Sequence, residues 1–285
     1  MFVLRSPREE EAGAIAALLS THAPEPISEE RVRRSWGAPG VDIDRDVRVA
    51  VADDVILGFA AVKVEDVHTW IELHGQGRLA ELIDWATSLA RGRAYAGGWQ
   101  ANGEVRAALL QKGFELVRHS YRMAIDLDEE SPTPRWPDGV RVRSFREGEG
   151  QAVHETHMET FEDSWEHTHA PYDEWAHWML ERPGFDPDLW LLATAEDEIA
   201  GIALCRVHET DPLTGWVSIL GVRRPWRRQG LGRALLFESF RRLAAQGCAR
   251  AILGVDASSH TGAHTLYENA GMKVISTFDV YELQA

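Results

Sequence analysis

Along the second half of the chain the apolar positions change period several times. Trp190 to Thr194, Ile199 to Val207 and Trp216 to Val222 are short apolar runs bounded by polar residues, and each predicts a strand. From Leu231 the spacing turns helical. Leu235, Leu236, Phe240, Leu243 and Ala244 share one face, which predicts a helix to Gln246 that packs on a sheet and stops at Gly247. A strand over Ala251 to Val255, a helix over Gly262 to Asn269 and a strand after Gly271 follow. Strands interleaved with amphipathic helices predict an α/β domain, layered on a mixed sheet.

The first half repeats this pattern. Arg5-Ser6-Pro7-Arg8-Glu9-Glu10-Glu11 returns as Arg143-Ser144-Phe145-Arg146-Glu147-Gly148-Glu149. Val49 to Val62 parallels Leu192 to Cys205, two strands around an acidic turn with Gly58 matching Gly201. Gly75-Gln76-Gly77-Arg78 echoes Gly230-Leu231-Gly232-Arg233, and Lys112 to Val117 echoes Ala270 to Ile275. Four echoes in one order favour a duplicated fold over chance matching. A Pro-rich polar stretch between the copies reads as a linker, so the expected domains are 1–127 and 139–285, joined by residues 128–138.

Composition then narrows the function. A chain of 285 residues suits two domains, and no apolar run reaches the ~18 residues of a membrane span. With no signal-like start and only Cys205 and Cys248, the expected compartment is the cytoplasm and the expected cysteines are core residues. The formal charge of −15 argues against nucleic acid or an anionic membrane as partner. Against that background Arg223, Arg224, Arg227, Arg228 and Arg233 form a basic cluster that suggests a local anion.

The cluster lies where an apolar strand runs through Arg227-Arg228-Gln229-Gly230-Leu231-Gly232-Arg233 into the predicted helix. Unpaired N–H groups at a helix start, glycines that let a ligand approach the backbone, and neighbouring guanidinium groups all suit a pyrophosphate. A Gly-x-Gly alone is weak evidence, since such glycines often serve only close helix packing. The Walker loop needs a Gly-Lys-Ser/Thr ending, which is missing, and the dinucleotide fingerprint wants a third glycine where Leu235 stands.

Leu220-Gly221-Val222, Pro225 and Arg227-x-x-Gly230-x-Gly232 resemble the strand and pyrophosphate loop of the GNAT superfamily of N-acetyltransferases. Ala263 to Met272 resembles that family's later motif. The resemblance covers the second half, extends weakly over the first as a degenerate copy, and implies two tandem GNAT-like domains; the tandem arrangement is similar to that of mycothiol synthase. It implies acetyl-CoA as co-substrate, with the backbone of Leu220, Gly221 and Val222 along the pantetheine arm. Arg227, Arg228, Gln229, Gly230, Leu231, Gly232 and Arg233 would hold the pyrophosphate. Tyr267 would be the general acid toward the departing thiolate; a core aromatic is its bland alternative. Ser218 occupies the strand position where some members carry a carboxylate base, so the base is open. Ser259 or His260 would replace the asparagine that commonly bonds the coenzyme arm.

Between His154 and Trp178, histidines and aromatics alternate with acids, which suits an acceptor pocket for a cationic or ring-bearing amine. Glu162, Asp163 and Glu166 are candidate bases or amine anchors. His154 and His157 lack a third ligand, so no metal is expected. In the first half the loop between Trp70 and Gly75 is nine residues shorter than its counterpart, and Leu109 takes the place of Tyr267. That half is expected to be non-catalytic, with shaping of the acceptor site, homodimer formation or plain structural support as its uses. The expected activity is acetyl transfer to a primary amine of a small molecule by direct attack. Mycothiol-synthase-like and antibiotic acetylation are the near alternatives, and an acyl-CoA-binding sensor without turnover is the distant one.

Overall fold

The computed structural model describes residues 2–127, 132–259 and 262–283. The first four residues of the expected linker and His260 lie outside them. The chain divides into two compact units, 1–122 with 256–258 and 275–285, and 123–255 with 259–274.

The first unit contains β1 (Phe2–Arg5), α1 (Ala12–Ser20), α2 (Glu29–Trp36), α3 (Ile43–Asp46), β2 (Val47–Ala52), β3 (Val55–Val64), β4 (His68–Gly75), α4 (Leu79–Leu89), β5 (Arg93–Trp99) and α5 (Gly103–Gln111). β6 (Phe114–Asp126) spans the point where this stretch of the unit ends at Arg122. β1 to β4 pair antiparallel in sequence order, and β4 pairs parallel with β5. The second unit contains β7 (Val140–Ser144), α6 (Gly150–Phe161), α7 (Tyr172–Met179), β8 (Trp190–Ala195), β9 (Glu198–Val207), β10 (Thr214–Val222), α8 (Leu231–Ala245), β11 (Arg250–Asp256) and α9 (Ala263–Asn269). β7 to β10 pair antiparallel and β10 pairs parallel with β11, the same layout.

The repeated motifs do the same work in each unit. Arg5 forks onto Glu11 while Glu11 accepts from the Arg8 N–H at 2.8 Å, and Arg143, Glu149 and Arg146 repeat that arrangement with the same 2.8 Å bond. In both hairpins the register shifts just after the alanine that faces the matched glycine, Ala50 opposite Gly58 and Ala193 opposite Gly201. Gly113 and Gly271 both end their helices with positive φ, +83° and +95°, and the residues after them, Phe114 and Met272, are buried. Only glycine takes that conformation cheaply.

One strand departs from the expected boundary. β12 (Lys273–Leu283) pairs antiparallel with β5, from Phe278 opposite Trp99 to Glu282 opposite Tyr95. The part of this strand from Ile275 to Leu283, expected in the second domain, therefore belongs to the sheet of the first unit. Its buried Tyr281 joins the core formed by Ile71, Leu82, Ile83, Leu109 and Phe114. Phe278 lies over Gly97 so closely that a Cβ there would sit 2.3 Å from the ring.

In the second unit, one core packs Val153, Met158 and Trp175 of α6 and α7 against Trp190, Leu192, Ile202 and Leu204 of the sheet. From the helix that opens at the arginine loop, Leu235, Leu236, Phe240 and Leu243 are fully buried, each contributing about 1.5–3 kcal/mol. Leu243 presses on Gly215, where a Cβ would come within 2.7 Å of it, so glycine lets α8 lie flat on β10. The loop at the start of α8 is thereby fixed to the sheet.

Candidate functional site

β10 and β11 pair over only three residues, from Thr214 opposite Arg250 to Trp216 opposite Ile252. Beyond Trp216, β10 continues to Val222 and β11 to Asp256 without that ladder. A register shift between Val217 and Ile219 on the β9 side places Ser218 at a bulge, which increases local twist. The open edge of β10 thus begins next to the bulge. Leu220, Gly221 and Val222 remain paired with Ala203, Ile202 and Gly201 of β9. The Arg223 N–H donates to Ala200 O at 3.0 Å, and backbone groups alternate along a strand, so Leu220 and Val222 direct their N–H groups to the open side.

From that edge the chain enters a short 3-10 turn, Arg224–Trp226, and then the loop. Arg228 and Gly230 both have positive φ, +63° and +86°, and Leu231 begins α8. The first described intrahelical donor is Ala234, bonded to Gly230 O at 3.0 Å, which leaves the N–H groups of Leu231, Gly232 and Arg233 without a helical acceptor. Gly230 has open space around its missing Cβ, so its role is conformational. Gly232 would meet Leu266 only at ordinary contact, 3.6 Å. Open donors at the positive end of α8 are of the kind that suits an anion.

The arginines divide into two groups. Arg227 donates from Nε to Val222 O at 3.0 Å, from Nη1 to Asp163 at 3.0 Å and from Nη2 to Thr160 O at 3.3 Å. Arg224 bonds Asp163 at 2.6 Å, and Arg223 lies 2.9 Å from Glu159. These three pin the loop to the C-terminal end of α6 rather than turning toward the helix start. Arg228 and Arg233 are exposed and form no ion pair among the described residues; the guanidinium of Arg233 lies over Phe237 at 5.0 Å. Gln229 donates to Pro225 O at 2.9 Å and holds the turn.

The ion pairs change the standing of the acids. Hydrogen bonds from Arg224 and then Arg227 hold the Asp163 carboxyl below the usual carboxylate range, so it binds a proton poorly and serves as an anchor. Glu162 sits 3.4 Å from Arg224. The contact between α6 and the strand is equally tight at Gly221, where a Cβ would lie 2.3 Å from Thr160 Oγ1. Sequence reading missed both ties, because about sixty residues separate the partners.

Tyr267 stands on α9 and is buried, with its hydroxyl free of hydrogen-bond partners among the described residues. Burial pushes its pKa up to about 12, which keeps the phenol protonated. Its counterpart Leu109 is fully buried in the core of the first unit. Ser259 is half-buried before α9, and its carbonyl accepts from Gly262 N–H at 3.4 Å. The Cys205 thiol is buried and pushed up to about 12, which makes it inert.

Near the Thr160 contact, α6, α7 and the segment between them line an open cavity of about 300 Å³ with His157, Phe161, His167, Glu174, Trp175 and Trp178 among its walls. Trp175 Nε1 donates to His157 Nδ1 at 2.9 Å, and His154 Nε2 bonds Ala170 O at 2.9 Å. Among the described residues no group of three or more His, Cys, Asp or Glu is gathered as a metal site would require. No helix among them is long and apolar enough to cross a membrane.

In the first unit the corresponding unpaired stretch is shorter, Leu73 to Gly75. There β4 and β5 pair over five residues, from His68 opposite Arg93 to Glu72 opposite Gly97. Only Gln76, Gly77 and Arg78 separate β4 from α4, and the left-handed residue before the helix is Arg78, not Gly75. The helix starts therefore align three residues away from the Gly-x-Gly echo.

The profile of the Acetyltransferase (GNAT) family matches residues 150–272. A protein named mycothiol acetyltransferase from Streptomyces scabiei is 31% identical over 94% of this chain and 90% of its own length. One of the same name from Geodermatophilus obscurus is 30% identical over 86% of this chain and 84% of its own. Among solved structures, a GCN5-related N-acetyltransferase from Sphaerobacter thermophilus superposes with a TM-score of 0.78 and 30% identity, covering 99% of this chain and 95% of that one. A tandem GNAT protein from the clavulanic acid biosynthesis pathway follows at 0.75 and 14% identity, covering 99% and 97%.

Proposed function

Because this chain belongs to the GNAT family of N-acetyltransferases, as a tandem member, we propose that its second unit moves the acetyl group of acetyl-CoA to a primary amine of a small molecule. The observation that carries the assignment to this unit is the unpaired edge of β10 leading into open N–H donors at the start of α8. A ligand that carries amides on an extended arm and a pyrophosphate at its end matches that surface: the arm adds as a strand beside Leu220 and Val222, and the pyrophosphate sits on Gly230 to Arg233. Arg228 and Arg233 supply charge from outside, while Arg227 sets the loop's shape. Ser259 lies before α9 as a further contact for the arm.

The chemistry is direct attack in a ternary complex. The amine nitrogen bonds to the thioester carbonyl carbon, the C–S bond breaks, and the sulfur takes the Tyr267 proton. A phenol held near pKa 12 stays protonated as the amine attacks and hydrogen-bonds to the sulfur, giving up its proton only as full charge develops there and regaining one from solvent. Ser218 cannot act as a carboxylate base, and Asp163 is committed to arginine; the ammonium proton passes to water, directly or by way of Glu162 or Glu166. The first unit, with its longer β4–β5 ladder and short loop, takes no part in turnover.

The named relatives support a more specific acceptor, an amino-sugar-like compound related to mycothiol. Two buried, unpaired cysteines suit a reducing, cytoplasmic setting. The test is a panel of small amines with acetyl-CoA, read as free thiol. Turnover with amino sugars supports the reading, and coenzyme binding without turnover on any amine would favour a sensor.

A further inference from the structure

We infer that His157 is a specificity-determining hydrogen-bond donor, fixed as its Nε2–H tautomer by Trp175, which reads an oxygen of the acceptor molecule. The inference deepens the acetyltransferase reading and rests on it for the identity of the cavity's occupant.

An indole N–H can only donate, so the 2.9 Å bond from Trp175 Nε1 requires a lone pair on His157 Nδ1. The one proton of the neutral ring is then on Nε2. That atom has no partner among the described residues, is not sealed in the interior, and belongs to a side chain lining the cavity of about 300 Å³. Protonating Nδ1 would set two N–H groups against each other. Burial and then the neighbouring His167 and His154 also disfavour the cation, pushing the pKa down to about 4. His157 therefore enters the cavity as a donor, and neither as a base nor as a charge.

The other walls sharpen the choice of partner. Phe161, Trp175 and Trp178 offer ring faces, and Glu174 is the carboxylate among the lining residues. A neutral N–H among apolar walls costs about 1–3 kcal/mol if its partner is missing, so it discriminates against molecules that cannot accept. The fitting occupant is an amine whose carbon skeleton bears a hydroxyl or ring oxygen near the wall formed by α6. The cavity is lined by residues of the same helix that touches β10 through Thr160 and Gly221.

Two substitutions separate donor from scaffold. His157→Asn keeps an acceptor for Trp175 and removes the cavity-facing donor; His157→Gln carries an amide N–H toward the Nε2 position. Glucosamine and cyclohexylamine serve as oxygen-bearing and oxygen-free probes. His157→Asn is expected to cut the wild-type preference for glucosamine about tenfold through the acceptor KM, leaving the acetyl-CoA KM and kcat within about twofold, and His157→Gln to restore much of it. An unchanged preference in His157→Asn would overturn the inference, as would a loss confined to kcat. Nitrogen NMR of the wild-type ring gives an independent reading: a proton on Nε2 at neutral pH is expected, and one on Nδ1 would also overturn it. If the tautomer is as expected but wild type releases no thiol with any amine, the acetyltransferase reading fails instead, and calorimetric binding of the two probes to wild type and His157→Asn decides the donor role.

Discussion

The guanidinium of Arg227 donates through Nε to the carbonyl of Val222 at 3.0 Å, so the first arginine of the loop folds back on the strand that leads into it. Its other nitrogens reach Thr160 at the end of α6 and Asp163 just beyond it. The residue expected to hold the pyrophosphate is tied into the loop's own backbone. Arg228, one position on, has left-handed backbone and an exposed side chain without an ion pair among the described residues.

That difference separates the two arginines experimentally. Arg228→Glu should weaken acetyl-CoA binding by more than about tenfold while leaving the thermal midpoint nearly unchanged, since it sets a like charge against a phosphate. Arg227→Ala should lower stability by about 1–2 kcal/mol and raise the acetyl-CoA KM together, because three internal hydrogen bonds go. Calorimetric titration with denaturant melts on both variants checks this.

Gly221 is tested by its collision with Thr160. A methyl group at Gly221 would fall 2.3 Å from Thr160 Oγ1 and 2.8 Å from its Cβ, too near the backbone to be cleared by a rotamer change alone. Gly221→Ala is expected to destabilise the fold by about 1–3 kcal/mol. Adding Thr160→Ala should recover a large part of that loss, and a double-mutant cycle in urea measures the recovery.

Much of this architecture was legible from the chain. Apolar periodicity located α8 and the strands around it, and the Gly113 and Gly271 echoes mark true helix ends because positive φ demands glycine there. The Gly75 echo was less faithful: Arg78 supplies the left-handed residue, a role that Asp, Asn or a tolerant side chain can fill without a sequence signature. The destination of β12 was illegible, since alternation shows that a strand forms but not which neighbour it pairs with. So were the pairings of Asp163 with Arg224 and Arg227 and of His157 with Trp175, which depend on how α6 meets other elements.

Coenzyme stoichiometry tests the asymmetry of the two units. With β4 and β5 paired over five residues and only three residues between β4 and α4, the first unit offers a shorter edge and no arginine loop, so one acetyl-CoA per chain is expected by calorimetry. A second equivalent of comparable affinity would contradict the assignment.

The pH profile follows from three groups. Asp163 is lowered by its arginines, so its contribution is present above the ordinary carboxylate range and is lost only as pH falls through its depressed value. The acetyl-CoA KM should accordingly be flat from about pH 6 to 9. His157, near 4, should add no inflection around the ordinary histidine value of ~6.5. Tyr267 is the active acid while protonated, and with its pKa raised to about 12 the rate should not fall as pH passes ~10, where an ordinary tyrosine would ionise.

The most direct test of acetyl transfer by the second unit is Tyr267→Phe, measured side by side for acetyl-CoA binding and for free thiol release with an accepted amine. The expected result is a coenzyme Kd within about twofold of wild type and a kcat lower by about a hundredfold or more, the loss of a general acid. Unchanged turnover in Tyr267→Phe, or failure of the wild-type chain to bind acetyl-CoA, would contradict the account.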